Sequence, residues 1–491
     1  MLMSLHLAVL PILLPMIGAP LAALLGRSSW AWWITLIISI GQLLCFVAML
    51  PVVLGGQPLD YSMGGWAIPW GIAYRVDALS LFMGLLIAAI AVLTCVYAKH
   101  SLRTDVDHEK LPYAYCCMQL CVMGLLGMVL TADIFNLFVF LEISSLATYG
   151  LVSLGKDRRA LLAAFRYLVT GTLGATLFLI GVGLAYTATG TLNLEDMAQK
   201  FATSPHQRTI QGAFAFIFAG LVLKIAIFPL HLWLPTVYRF APSAVAVLLA
   251  ATATKVALYV LVRCQFGLFG QAISASHYLA ELLLVGGVLA MLYCSYLALK
   301  EDDFKGLLAY SSLAHLGYML GGMGLLSAKG LSASLMQLFA HTLAKGGLFM
   351  LAGIMVLSAG TSKISQLTGL AGRSPLLFLA LVICGLSLVG VPGTVGFVGK
   401  WQLLDAALTQ GRFGLVLAIL ASSLMALAYV WKILETAYSN PQSNMQLTVK
   451  PGWLMPLSMW SLTLGCLYFG FFSQWPWQLA QHAATVLWGS S

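Results

Sequence analysis

Long apolar runs alternate with short polar breaks along this chain. A helix needs about 20 apolar residues to cross the hydrocarbon core of a bilayer. Runs near that length fall at 5–25, 31–54, 76–97, 113–131, 133–154, 161–188, 211–234, 242–264, 277–299, 306–327, 332–358, 376–404, 413–437 and 453–473. The pattern predicts an all-α integral membrane protein of about fourteen transmembrane helices. The breaks are too short for a water-soluble domain, and none holds a Gly-rich phosphate loop.

Composition agrees. Hydrophobic residues make up 60% of the 491 and charged residues 8%, against about 25% charged in an ordinary soluble domain. The net charge of +9 does not point to nucleic acid, because the cations gather in alternate breaks. Those after odd-numbered runs carry Arg27, Lys99, Arg103, Lys110, Lys156, Arg158, Arg159, Arg239, Lys300, Lys305, Lys363, Arg373, Lys432 and Lys450. Those after even-numbered runs carry only Arg75, Lys200, Arg208, Arg263, Lys329 and Arg412. Cytoplasmic loops collect Lys and Arg, so the odd breaks are expected in the cytoplasm and both termini outside, in a bacterial plasma membrane. The apolar N-terminus lacks a basic region and a small-residue cleavage site, which predicts a retained first span. Nine cysteines are scattered without Cys-x-x-Cys or metal-ligand spacing. They read as small buried hydrophobes, and neither metal nor cofactor is expected.

Besides Arg263 and Lys432, which lie near run ends and are grouped with the breaks they adjoin, five cations fall inside the runs: Arg166, Lys224, Lys255, Lys345 and Lys400. Arg166 lies near a run's end, where its head can snorkel; the other four are deep. An ionisable group at such depth is costly and marks an ion or proton path. Glu142, in "DIFNLFVFLEISSLATYG", is the natural partner for a buried lysine. A carboxylate that approaches and withdraws would let a lysine hold and release a proton; a static ion pair is the alternative. Lys255 stands among small residues in "LLAATATKVALYVL", which let helices approach and leave room for water. His341 and Lys345, in "LFAHTLAKGGLFM", are four apart and share a helix face, as a hand-off pair would. His315, in "YSSLAHLGYM", reads either as a relay or as a hydrogen-bonded core histidine.

Two runs are interrupted. In "GLVLKIAIFPLHLWLP" Lys224 precedes Pro229 and His231, and "GVPGTVGFVGK" ends on Lys400. Proline frees backbone groups that lipid cannot satisfy but a water-filled cavity can. His231 could cap those groups or hold water. Glu142 and Lys224 are 82 residues apart in runs five and seven; His315 and Lys400 are 85 apart in runs ten and twelve. A shift of five runs reverses membrane orientation, so the chain predicts two inverted five-span repeats with broken helices. The repeats cover 113–264 (spans 4–8) and 277–437 (spans 9–13), flanked by 1–112 (spans 1–3) and 438–491 (span 14).

The stretches "ADIFNLFVFLEISSLATYGLV", "LKIAIFPLHLWLPTVYRFAPS", "KEDDFKGLLAYSSLAHLGYM", "HTLAKGGLFML" and "GVPGTVGFVGK" together resemble the antiporter-like subunits shared by respiratory complex I, membrane-bound hydrogenases and Mrp-type cation/proton antiporters. "FPLHLWLP", "GTLNLEDMA" and "TKVALYVLVR" are most similar to the Mrp D branch. The resemblance implies fourteen helices, two inverted repeats and proton conduction along a central polar axis. It also implies pathway roles for Glu142, Lys224, Lys255, His341, Lys345 and Lys400. One departure is Thr236, where the family often carries an aspartate, with Arg239 close by.

The resulting expectation is a transporter subunit, not an enzyme. It would move protons within a multi-subunit monovalent cation/proton antiporter, with other membrane subunits as partners and Na⁺ or K⁺ as counter-ion. The alternative is a proton-pumping membrane subunit of complex I (the N type) or of a hydrogenase, carrying no redox centre of its own. A third class, an intramembrane acyl transferase, fits poorly, because the deep residues are spread along the span order and do not cluster as a nucleophile with its base.

Overall fold

The computed structural model describes residues 6–270, 276–439 and 451–489; Lys450, among the loop cations above, lies outside them. The order is α1 (Leu10–Leu24), α2 (Ser28–Leu54), a hairpin of β1 (Leu59–Ser62) and β2 (Ala73–Val76), then α3 (Ala78–Asp105), α4 (Leu111–Leu130), α5 (Ile134–Ser153), α6 (Arg158–Thr189), α7 (Leu194–Thr203), α8 (Gln207–Ile225) and α9 (Trp233–Phe240). It continues with α10 (Ser243–Leu268), α11 (Ser276–Lys300), α12 (Phe304–Gly324), α13 (Ala328–Ala359), α14 (Pro375–Val389), α15 (Val395–Thr409), α16 (Phe413–Tyr438), α17 (Leu454–Phe471) and α18 (Gln474–Gly489).

Among the described residues, eleven helices are long and apolar enough to cross a membrane. The remaining predicted runs are represented differently. The first is the shorter α1, the tenth is the polar-spotted α12, and the twelfth is divided into α14 and α15. Run seven also ends earlier than its hydropathy suggests. Helix α8 stops at Ile225 because Ala226 turns left-handed (φ 63°). The amphipathic α7, the hairpin and the terminal α18 have no counterpart among the predicted runs. Their sequences lie in polar breaks or past the last apolar run.

Helix starts follow the rule that a side-chain oxygen takes up a free backbone N–H. Asp77, Asp133, Asp157, Asn193, Asp303 and Ser327 each accept from an N–H in the first turn of the helix that follows. Helix α13 carries His341 and Lys345 through the middle of the molecule, packed by α10, α12, α14, α15, α17 and α18.

Helices α6 and α8 meet backbone to backbone. A Cβ on Gly220 would lie 2.5 Å from the Gly174 carbonyl oxygen, and one on Gly174 would lie 3.0 Å from that of Gly220. Helices α11 and α12 meet the same way at Gly287 and Gly317 (2.8 and 2.6 Å). Without a hydrophobic drive between helices in lipid, such close approach is what holds them together. Gly220 stands one turn before Lys224, so this contact also places the lysine. Gly220→Val is expected to force α6 and α8 apart and to cost about 1–3 kcal/mol as an overpacked contact. A fall in the thermal unfolding midpoint of the purified protein checks this; an unchanged midpoint would contradict the contact.

Candidate functional site

Helix α5 presents Glu142, Ser145 and Tyr149 at spacings of three and four, hence on one face. Lys224, in the last turn of α8, points into that face. Its Nζ lies 2.7 Å from Ser145 Oγ, 3.4 Å from Tyr149 Oη and 3.5 Å from Glu142 Oε1. The lysine side chain is 7% exposed and the glutamate 22%, so the pair is present but the nearest oxygen is a hydroxyl. Two of the carbonyls at the break are taken up from beyond it. Trp233 Nε1 donates to the Leu223 carbonyl (3.0 Å) and the Ile227 N–H to that of Val222 (3.0 Å). Trp233 also stacks on Tyr167, with ring centroids 4.2 Å apart. His231 belongs to the break itself. Its Nδ1 is 3.2 Å from the Pro229 carbonyl oxygen, and its ring packs on Phe228 and Tyr293.

Beside Lys224 lies a cavity of about 40 Å³ lined by, among others, Ser144, Ser145, Thr148, Tyr238 and Thr254. That is room for water with several polar partners. Thr254 is where α10 begins the next station: Lys255 Nζ is 3.5 Å from Thr254 Oγ1 and donates to the Ala250 carbonyl. Ala250 lies in a π-helical turn, Leu249–Ala253, a local widening of the helix. The same turn offers the Ala251 carbonyl to Thr342 Oγ1 of α13 at 3.2 Å.

In α13, Lys345 Nζ donates to the Leu308 carbonyl (2.8 Å) and to Ser311 Oγ of α12. His341 lies one turn earlier, its ring 4.9 Å from that of His315. Gln337 Nε2 lies 2.9 Å from His315 Nδ1. His315 in turn is 5.3 Å from the Tyr318 ring, and Lys400 Nζ sits 4.9 Å over that ring. Lys400 Nζ donates to the Leu388 and Val389 carbonyls (2.9 Å each) and to Ser423 Oγ (3.0 Å). A cation at the C-terminus of α14 answers the helix dipole there. Lys255, Lys345 and Lys400 are all buried. Among the described residues no group of three His, Cys, Asp or Glu could hold a metal ion.

The structure thus brings the predicted residues into one row, with His315 inside it and His231 at its margin. It adds Ser145, Tyr149, Thr254, Ser311, Gln337, Tyr318 and Ser423, polar residues too ordinary in such helices to stand out in the sequence. Three cations counted above as loop charges are more deeply placed. Lys305 is buried in α12. Arg239 joins α9 to Glu301 and, at 3.5 Å, to Asp303. Thr236, in the departing position, bonds only within its own helix, to the Trp233 carbonyl. Arg263 grips Asp77 with both terminal nitrogens (2.5 and 2.6 Å) and bonds Tyr259 Oη at 2.8 Å.

Known proteins share this fold. Residues 131–426 match the family model described as NADH:quinone oxidoreductase/Mrp antiporter, TM. The chain is 36% identical to the N-type subunit of the NADH-quinone oxidoreductase of Desulforudis audaxviator, over 92% of this chain and 91% of that one. It is 30% identical to the D-type subunit of the Na⁺/H⁺ antiporter of Bacillus subtilis, over 98% and 96%. A chain of the membrane-bound sulfane sulfur reductase, an archaeal respiratory membrane complex, superposes with a TM-score of 0.92 at 28% identity, covering 98% of each.

Removing one member of a buried ion pair strands the other charge and costs about 3–5 kcal/mol, whereas replacing both by apolar residues costs little. Asp77→Leu alone is therefore expected to lower the unfolding midpoint strongly, and Asp77→Leu with Arg263→Met to restore most of it. Equal losses in the single and double variants would show that the pair is not coupled.

Proposed function

Because the chain belongs to the NADH:quinone oxidoreductase/Mrp antiporter transmembrane family, we propose that it is the proton-translocating subunit of a Mrp-type monovalent cation/proton antiporter. The observation that carries proton translocation is the row itself: four lysines and two histidines linked from Glu142 to Lys400 by hydroxyls, ring contacts and a cavity with room for water. A proton on Lys224 is held by Glu142 and shared with Ser145 and Tyr149. When the carboxylate withdraws, the lysine loses its opposite charge and passes the proton across the cavity to Lys255. His341, Lys345 and His315 carry it to Lys400, and the counter-ion is Na⁺ or K⁺.

Two five-span units, 113–264 and 277–437, organise this path. Helices α4 and α5 pack together as α11 and α12 do, and α6 packs on α8 as α13 packs on α14 and α15. Each unit holds a lysine at the break in its broken helix, Lys224 after α8 has nearly ended and Lys400 facing the end of α14. The units sit in a bacterial plasma membrane with the cation-rich loops on the cytoplasmic side.

A second reading, a proton-pumping membrane subunit of complex I or a related respiratory complex, is favoured by the identity to an N-type oxidoreductase subunit and by the likeness to a respiratory complex chain. The proton row serves either assembly. Co-purified partners distinguish them: iron–sulfur subunits support the respiratory reading, and their absence from an active cation-exchanging complex supports the antiporter.

Lys224→Ala is expected to reduce cation-dependent proton flux in vesicles to background while the complex still assembles. Glu142→Gln is expected to slow it by about tenfold or more, in the range of a lost acid–base group. Full exchange in an assembled Lys224→Ala complex would end the proposal.

A further inference from the structure

A large cavity lies apart from the row. It is a polar vestibule of about 1580 Å³ at the face carrying the cation-rich loops, lined by both five-span units. Three of the six cations lining it are held by carboxylates. Arg239 pairs with Glu301, Arg159 with Asp157 at 2.7 Å and Lys432 with Asp302 at 2.9 Å. Lys305 differs. It is 4% exposed and lies where the vestibule enters the helices, its Nζ donating to Ser243 Oγ at 3.1 Å. Ser243, at the start of α10, gives its own N–H to Asp105 Oδ2 at 2.7 Å. Acidic groups at this neck are thus Asp105 from α3 and Asp303, the residue that caps α12.

Lys305 is also next to the row. Leu308, whose carbonyl holds Lys345, follows it by three residues, about 4.5 Å of helix rise, and Ser311 follows by one further turn. The vestibule, Lys305 and Lys345 therefore lie in sequence along one helix.

We propose that this vestibule is the port through which protons reach the second half of the row, with Lys305 and Ser243 relaying them to Lys345. The neutral Lys305 amine takes one proton from hydronium in the vestibule. It later gives that proton to the neutral Lys345 amine through the hydroxyls of Ser243 and Ser311 and intervening water. Each cycle moves one proton and returns the relay to its starting state. The inference rests on the proton-translocating reading above.

The test is proton flux in vesicles holding the assembled complex, normalised to the amount assembled, for Lys305→Met, Lys305→Arg and Ser243→Ala, with Lys224→Ala alongside. Arginine keeps the charge but does not give up its proton. A relay predicts that Lys305→Arg is as slow as Lys305→Met, about tenfold or more below the parent, and that Ser243→Ala is slowed several-fold. Parental flux in Lys305→Arg would mean a fixed structural charge and overturns the proposal. Parental flux in Ser243→Ala, which removes one hydroxyl and no charge, overturns it equally and decides the matter if the Lys305 variants do not assemble. Either result with Lys224→Ala inactive removes the port alone; an active Lys224→Ala removes the transport reading beneath it.

Discussion

An ammonium group far from water must find oxygen, and this requirement shapes the centre of the molecule. Three of the four deep lysines find it in the backbone. Lys255 takes the Ala250 carbonyl at a π-helical turn, Lys345 the Leu308 carbonyl, and Lys400 two carbonyls at the open end of α14. Of the four, Lys224 alone meets a carboxylate, and then at 3.5 Å. A carbonyl dipole is a weaker partner for a cation than a full negative charge. At Lys255 and Lys400 the helix irregularity and the lysine belong together: the π-helical turn and the open end of α14 present carbonyls that would be costly in lipid without a donor. Lys345 instead shares a carbonyl inside the regular α12, one that Ser311 and Ser312 also bond.

The two broken helices express this design in different ways. In the first, the break is closed by its own surroundings: Trp233 and the Ile227 N–H take up two of its carbonyls, which leaves Lys224 to turn toward α5. In the second, Lys400 itself closes the end of α14 and reaches Ser423 of α16. The stations at the two ends of the row thus have unlike surroundings, one facing an acid and hydroxyls, the other facing carbonyls and a hydroxyl.

Much of this is legible in the sequence because charge is conspicuous in an apolar run. Glu142, Lys224, Lys255, Lys345 and Lys400 stand out against their neighbours, and the prolines and glycines announce both breaks. What stays hidden lies at the edges or lacks contrast. Lys305 and Arg263 sit where an apolar run meets a polar break, and hydropathy alone cannot tell a loop cation from one turned inward. Ser145, Thr254 and Ser311 are common in such helices. The π-helical turn in α10 leaves no periodic mark, since its residues are small or apolar throughout. Helix α18 escapes a hydropathy reading because it follows the last apolar run, and its buried face is made of alanines and leucines between polar residues.

The glycine contacts carry a consequence for movement. Where two backbones touch, as α6 and α8 do at Gly174 and Gly220 or α11 and α12 at Gly287 and Gly317, neither helix can slide or roll past the other without a collision of main-chain atoms. Each such pair must travel as a single rod. Displacement of Glu142 from Lys224 is thereby directed to the seam between α5 and the α6–α8 rod, where the Tyr149 side chain packs against α6 at Gly171.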